Sequence, residues 1–366
     1  MRRTVGNSRV WRAVDLVGGL VLIFAASYNA VYAIYPFFHG DDFNRAFALT
    51  MLFIFVETVV SHWIFRLLGE VSRLLCIPVA GWRFVSFRFG QGWGVRCLLD
   101  PPAPVNGECP CVCYLLCGGL SNLLLGILLI GIGFFAPIGA FLRFFGFLAL
   151  RYAWRCFVPR CYGGTGNDGY WLLRLGENPK RSAVIGLLRK LAVEMERAET
   201  YGDFSEETVK ALAEYECGDF RCGDEVIPLY YRAHYLLAQG DREGAAAVYR
   251  VIAESAAPDE TRRRAYCELL YAAILDGATE EQLSVLYQRA TGDENRVKRD
   301  STSRRRFLYA VRLLYEKDKA RAEEEYQALL RLCKAEPFRA QAALDLREAK
   351  RVRELYGNGS GTEVVS

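Results

Sequence analysis

Residues 16–38 form 23 consecutive uncharged positions and residues 109–142 form 34. Both exceed the roughly 18 that a membrane-spanning helix requires. Pro137 and Gly139 fall where a tight turn divides the longer run, giving one span near 112–136 and another continuing to about 158, which carries Arg143, Arg151 and Arg155. Residues 46–68 are apolar apart from Glu57, His62 and Arg66, and helical character is expected to persist to Ile77 before Pro78 stops it. The pattern predicts four spans. Arg2, Arg3, Arg9 and Arg12 precede the first, one Arg (Arg45) lies in the loop after it, and Arg83, Arg88 and Arg96 follow the second. Arg160, Arg174, Lys180 and Arg181 follow the fourth, so both termini are expected in the cytoplasm of a multi-pass cell-membrane protein. Between the second and third spans, residues 82–89 and 93–98 are aromatic and branched runs split by Gly90-Gln91-Gly92, which predicts a β-hairpin at the membrane.

From about residue 182 the pattern changes to amphipathic helices with short breaks. Gly240, Gly277 and Lys317 mark turns, and Tyr249, Tyr287 and Tyr326 follow them with spacings of 38 and 39. These helical hairpins resemble tetratricopeptide repeats with lengthened loops; an irregular helical bundle fits the same pattern. The expected fold is mainly α, with a four-span membrane domain over 1–176, a cytoplasmic helical repeat-like domain over 177–356 and a disordered tail over 357–366. Stacked hairpins of this kind imply a groove for a cytoplasmic protein.

Charge follows the same division. Residues 1–160 contain 14 Lys and Arg against 7 Asp and Glu, leaving 32 and 35 for the remainder. The net +4 of the chain therefore combines a basic membrane half with an acidic soluble half, which argues against nucleic-acid binding. The first apolar run is longer than a signal-peptide core and lacks a cleavage site, so no cleavable leader is expected. Twelve cysteines, eight of them up to Cys161, are expected as reduced thiols. Only His39, His62 and His234 are present, too few for a multi-histidine metal site.

Four segments carry a family likeness: the helix ending at Gly81 that runs into Trp82-Arg83-Phe84-Val85-Ser86-Phe87-Arg88-Phe89-Gly90; Cys97-Leu98-Leu99-Asp100-Pro101-Pro102; Gly118-Gly119-Leu120-Ser121-Asn122-Leu123-Leu124; and Asn167-Asp168-Gly169-Tyr170-Trp171-Leu172-Leu173-Arg174-Leu175. In this order, over residues 46–176, the chain resembles the site-2 protease family of intramembrane zinc metallopeptidases, its bacterial multi-pass members in particular. The resemblance implies a His-Glu-x-x-His motif about a dozen residues before the hairpin glycine, which falls on Gly69-Glu70-Val71-Ser72-Arg73. Glu70 then holds the general-base position, Gly69 and Arg73 stand where the two histidine ligands belong, and Asp168 matches the third ligand. Asn122, Asn167, Phe84 and Ser86 match substrate-facing positions, and the hairpin is implied to meet a transmembrane or unfolded peptide as an added strand. Histidines at i and i+4 share a helical face and grip one zinc; with both replaced, no cofactor is expected, and zinc belongs only to the reading in which the chain is an active protease. The guanidinium of Arg73 is expected instead to neutralise Glu70 on its own helix and Asp168 across the bundle, the alternative being that Arg73 and Glu70 reach to the interface.

Other features are weaker. Cys109-Pro110-Cys111-Val112-Cys113 with Cys117 offers soft-metal or redox chemistry, because Cys113 and Cys117 share a helical face, or simply packing. Cys76 is a further thiol near Arg73. Glu57 is an intramembrane carboxylate with Ser61 and His62 nearby. Gly163-Gly164-Thr165-Gly166 lacks the Lys-Ser/Thr of a phosphate loop and reads as the lead into Asp168. The leading function is a catalytically degenerate membrane scaffold or binder. An active intramembrane zinc protease and a transporter-like or structural membrane protein are the alternatives.

Overall fold

The computed structural model describes residues 9–34, 43–90, 94–162, 165–291 and 301–359. The chain is mainly helical and divides into two compact units, Met1–Arg189 and Lys190–Ser366. The first unit contains α1 (Arg9–Ile34), α2 (Phe43–Ser72), α3 (Cys76–Ala80), strands β1 (Arg83–Gly90) and β2 (Gly94–Asp100), α4 (Val112–Ile132), α5 (Gly139–Phe157), the two-residue strands β3 (Cys161–Tyr162) and β4 (Thr165–Gly166), and α6 (Asp168–Glu177). Helix α7 (Ser182–Arg197) contains the division between the units.

Helix α5 packs on α1 and α4, and α2 packs on α4. Ala26 and Ala30 of α1, Phe65 of α2 and Phe144, Leu148 and Ala149 of α5 form their shared core. The crossings run over glycine: a Cβ built on Gly126 of α4 would stand 2.9 Å from the Gly146 carbonyl of α5. Small residues let helix backbones approach where no large side chain intervenes. The outer faces carry the opposite composition, with Leu16, Leu20 and Phe24 of α1 and Leu124, Ile127 and Leu128 of α4 all exposed. Among the described residues, Val10–Tyr32 and Val112–Ile132 are long and apolar enough to cross a membrane.

The helix expected to stop at Pro78 continues to Ala80. A three-residue 3-10 turn, Arg73–Leu75, breaks the ladder first, which places Pro78 in the opening turn of α3 where its missing N–H costs nothing. Gly81, at φ 71°, then ends the helix and turns the chain into β1. The hairpin is antiparallel, pairing Arg83 with Asp100 and Arg88 with Arg96, with an irregularity between Phe84 and Ser86.

The second unit continues with α8 (Glu206–Glu214), α9 (Gly223–Gln239), α10 (Arg242–Glu254), α11 (Asp259–Leu275), α12 (Glu280–Thr291), α13 (Thr302–Ala310), α14 (Lys319–Ala335) and α15 (Arg339–Gly359). The three turn residues read from the sequence all adopt left-handed backbone: Gly240 at φ 86°, Gly277 at 70° and Lys317 at 57°. Tyr249, Tyr287 and Tyr326 lie on the second helix of each pair. The chain from Gly357 to Gly359 is the end of α15 rather than tail; the rest of the expected tail lies outside the described residues.

This unit is also held by a buried polar chain. Arg306, with a side chain 1% exposed, donates to Glu268 and pairs with Asp345. Gln341 donates to Asp345 and accepts from the Tyr201 hydroxyl at 2.6 Å. Because Tyr201 spends its proton on Gln341, the His234 Nδ1 beside it at 3.0 Å carries the hydrogen and donates. Burial, with Arg306 adding to it, pushes the His234 imidazole down to about 3.

Candidate functional site

Arg73 leaves the end of α2 through the 3-10 turn, which carries its side chain into the bundle. Its guanidinium donates to both oxygens of Glu70 at 2.8 Å and to Oδ2 of Asp168 at 3.1 Å. It also lies 4.6 Å over the ring of Tyr114, an arrangement that attracts a cation to the ring face. The three charged side chains are only 11–16% exposed. Both ion pairs expected of Arg73 are therefore present, one within its own helical turn and one across 95 residues of sequence.

Glu70 has a further partner that the sequence does not announce. The backbone N–H of Cys97, on β2, donates to Glu70 Oε2 at 2.9 Å. A carboxylate with two guanidinium contacts and a backbone donor joins the hairpin to α2. Tyr114 is fixed from its other neighbours: Trp82 stacks on it at 4.9 Å, and the Trp82 indole N–H donates to the Pro110 carbonyl at 3.1 Å.

Asp168 opens α6. Asn167 caps that helix, its Oδ1 accepting from Tyr170 N at 3.0 Å and Arg160 N at 2.9 Å. The Asn167 amide group donates to the carbonyls of Arg155, Cys156 and Val158 at the end of α5. Gly169 permits the junction, since a Cβ there would fall 2.0 Å from the Phe157 carbonyl oxygen. Burial pushes the Asp168 carboxyl up from its ordinary value, with Arg73 opposing.

A side chain at Gly69 would crowd the neighbouring helix. A Cβ at Gly69 would meet the Gly118 carbonyl at 3.3 Å, the Asn122 amide nitrogen at 3.4 Å and the Tyr152 ring at 3.5 Å. The α2 and α4 backbones meet at this level. Asn122, wholly buried, holds the crossing by donating to the carbonyls of Phe65 at 3.0 Å and Gly118 at 2.9 Å. Ser72 adds a bond to the Cys117 carbonyl at 3.0 Å, and the Ser121 hydroxyl donates to Ser72 at 3.1 Å.

The residues expected to face a substrate thus divide. The Asn122 and Asn167 amide nitrogens both donate to helix carbonyls, so the two residues brace the bundle internally. Phe84 is 47% exposed on β1 and Ser86 is half-buried beside it. His62 packs near the Tyr152 ring at 5.8 Å. His39 and the side chains of Glu57 and Ser61 lie outside the described residues.

The zinc that the resemblance implies does not fit these residues. Gly69 has no side-chain donor atom, Arg73 is a cation, and the remaining carboxylate, Asp168, is engaged by that cation. A tetrahedral ion held by protein needs three or four N, S or O donors. What the centre can do is carry a fixed positive charge that balances two acids in a low-dielectric interior. Comparison with family models, with curated proteins and with solved structures returns no match.

Proposed function

We propose that this chain is a catalytically inactive relative of the site-2 proteases, an integral membrane protein that binds partners instead of cutting them. One observation carries the reading: the Arg73 guanidinium lies between Glu70 and Asp168, the positions of the general base and third ligand in that family. Both Glu70 oxygens are engaged by the guanidinium and one also accepts the Cys97 N–H, so the carboxylate is not free to orient a water. The exposed apolar faces of α1 and α4 support a bilayer as the surroundings of the first unit. With α2 and α5 completing a four-span core, both termini lie in the cytoplasm.

Binding falls to the hairpin and the second unit. The hairpin has two strands; β2 is tied to α2 through the Cys97 N–H, and the outer edge of β1, which pairs with no further strand among the described residues, is the edge for an extended or unwound peptide. Phe84 supplies an exposed aromatic contact there. The tetratricopeptide-like pairs of α9 to α14 provide the surface for a cytoplasmic protein.

The test is cleavage. The protein is reconstituted in liposomes with zinc and a membrane-embedded peptide carrying a fluorophore pair. Wild type and Glu70→Gln should give the same background hydrolysis. Zinc-dependent cleavage that disappears in Glu70→Gln would refute the reading.

A further inference from the structure

Three thiols from two helices converge one turn away from the Arg73 centre. Cys76 opens α3, and Cys113 and Cys117 occupy i and i+4 near the start of α4. Their Sγ atoms are separated by 3.4 Å for Cys76 and Cys113, 3.6 Å for Cys113 and Cys117, and 3.8 Å for Cys76 and Cys117. Cys76 is wholly buried and the other two are half-buried. Cys109 and Cys111 take no part in the group: Cys109 faces Gly186 and its N–H donates to Ser182, and Cys111 is the buried cap of α4.

We propose that Cys76, Cys113 and Cys117 form a binding site for a thiophilic d10 cation, Zn2+ or Cu+. The geometry is the first argument. Sulfurs bound to one tetrahedral zinc at about 2.3 Å stand about 3.8 Å apart. The observed triangle is nearly that size, so a cation at bonding distance from all three sits about 1 Å above their plane. The second argument is donor chemistry. Three thiolates suit soft or borderline ions and offer nothing to Mg2+ or Ca2+, which require oxygen. Cu+ would remain three-coordinate, whereas Zn2+ would add a water on the half-exposed side.

The positions are set before any ion arrives. Ser72, four residues before Cys76, donates to the carbonyl of Cys117 itself, and Gly69 and Gly118 hold the two helices in close approach. Such bracing lowers the ordering cost of assembling the ligands. Uptake replaces three S–H bonds by three metal–sulfur bonds and releases up to three protons to solvent, with no change in oxidation state. The site stands independently of the reading given to Glu70, Arg73 and Asp168.

The experiment uses the full chain in detergent, reduced with a phosphine and freed of metal. Zn2+, and anaerobically Cu+, are titrated in separate arms against a chromophoric chelator. One equivalent of at least one ion should bind, with affinity falling at least tenfold in Cys76→Ser, Cys113→Ser and Cys117→Ser and unchanged in Cys333→Ser, which alters a thiol of α14. A second measurement needs no variant: alkylation of the wild type, with and without the ion, is mapped by peptide mass spectrometry. Protection confined to Cys76, Cys113 and Cys117 supports the site. Failure of both ions to bind, uptake that all three variants retain, or protection spread over the other cysteines overturns it.

Discussion

Replacing Arg73 by Met keeps an unbranched side chain and removes its charge. The wild-type guanidinium makes three hydrogen bonds to two carboxylates and lies on the Tyr114 ring. Taking one partner from a buried ion pair costs about 3–5 kcal/mol, mainly because the remaining charge is left uncompensated. Here two acids remain, each at most 16% exposed, so the upper part of that range applies. For a unit of this size, about 4 kcal/mol corresponds to a fall of roughly 10 °C in the unfolding midpoint. All six tryptophans lie at or before Trp171, and Trp82 stacks on Tyr114, so tryptophan fluorescence in detergent reports this unit selectively. Arg73→Met should also gain stability as pH falls, because protonation neutralises the stranded carboxylates. Adding Glu70→Gln and Asp168→Asn should restore most of the loss. A midpoint within 2 °C of wild type, with no dependence on pH, would refute the argument that this charge is structurally required.

Two further outcomes follow from local geometry. Gly169→Ala should destabilise the first unit by about 1–3 kcal/mol, since its Cβ would collide with the Phe157 backbone, and a fluorescence midpoint equal to wild type would contradict that. In the second unit, His234 is held near 3 while an unfolded histidine titrates near 6.5, so between these values the unfolded chain binds the extra proton. Stability is then present above about pH 6.5 and lost as pH falls, by up to about 1.4 kcal/mol per pH unit. His234→Asn keeps a donor for Tyr201 and should flatten that slope in urea unfolding followed by circular dichroism; an unchanged slope would assign the acid sensitivity elsewhere.

Much of the architecture follows from patterns that act locally. The turn residues Gly240, Gly277 and Lys317 were legible because a chain reversing between two amphipathic helices needs a left-handed residue at that point. The hairpin was legible from its apolar runs and the Gly-Gln-Gly break, although residues 91–93 lie outside the described residues. Pro78 misled because proline forbids a helix interior but not a first turn, and the 3-10 break that resets the turn has no sequence signature.

At the site, the Arg73 contact with Glu70 was readable from i and i+3 spacing, and that with Asp168 from the order of the four segments. The Cys97 N–H on Glu70 and the Tyr114 ring under Arg73 depend on which strand and which helix pack together, which periodicity alone does not encode. The thiol group was half visible: Cys113 and Cys117 share a face by spacing, whereas Cys76 joins them through the 3-10 turn. Gly69 carried the least legible meaning. It reads as a missing ligand, and the structure adds that a side chain there would crowd the Gly118 carbonyl of α4.

In this protein a guanidinium balances Glu70 and Asp168, where the resemblance implies a metal. Zinc content, measured by mass spectrometry on protein purified without chelator, tests it when wild type is compared with Asp168→Asn. Equal zinc is expected in the two proteins, since any ion the chain holds is bound elsewhere. One equivalent of zinc in wild type that Asp168→Asn loses would contradict it.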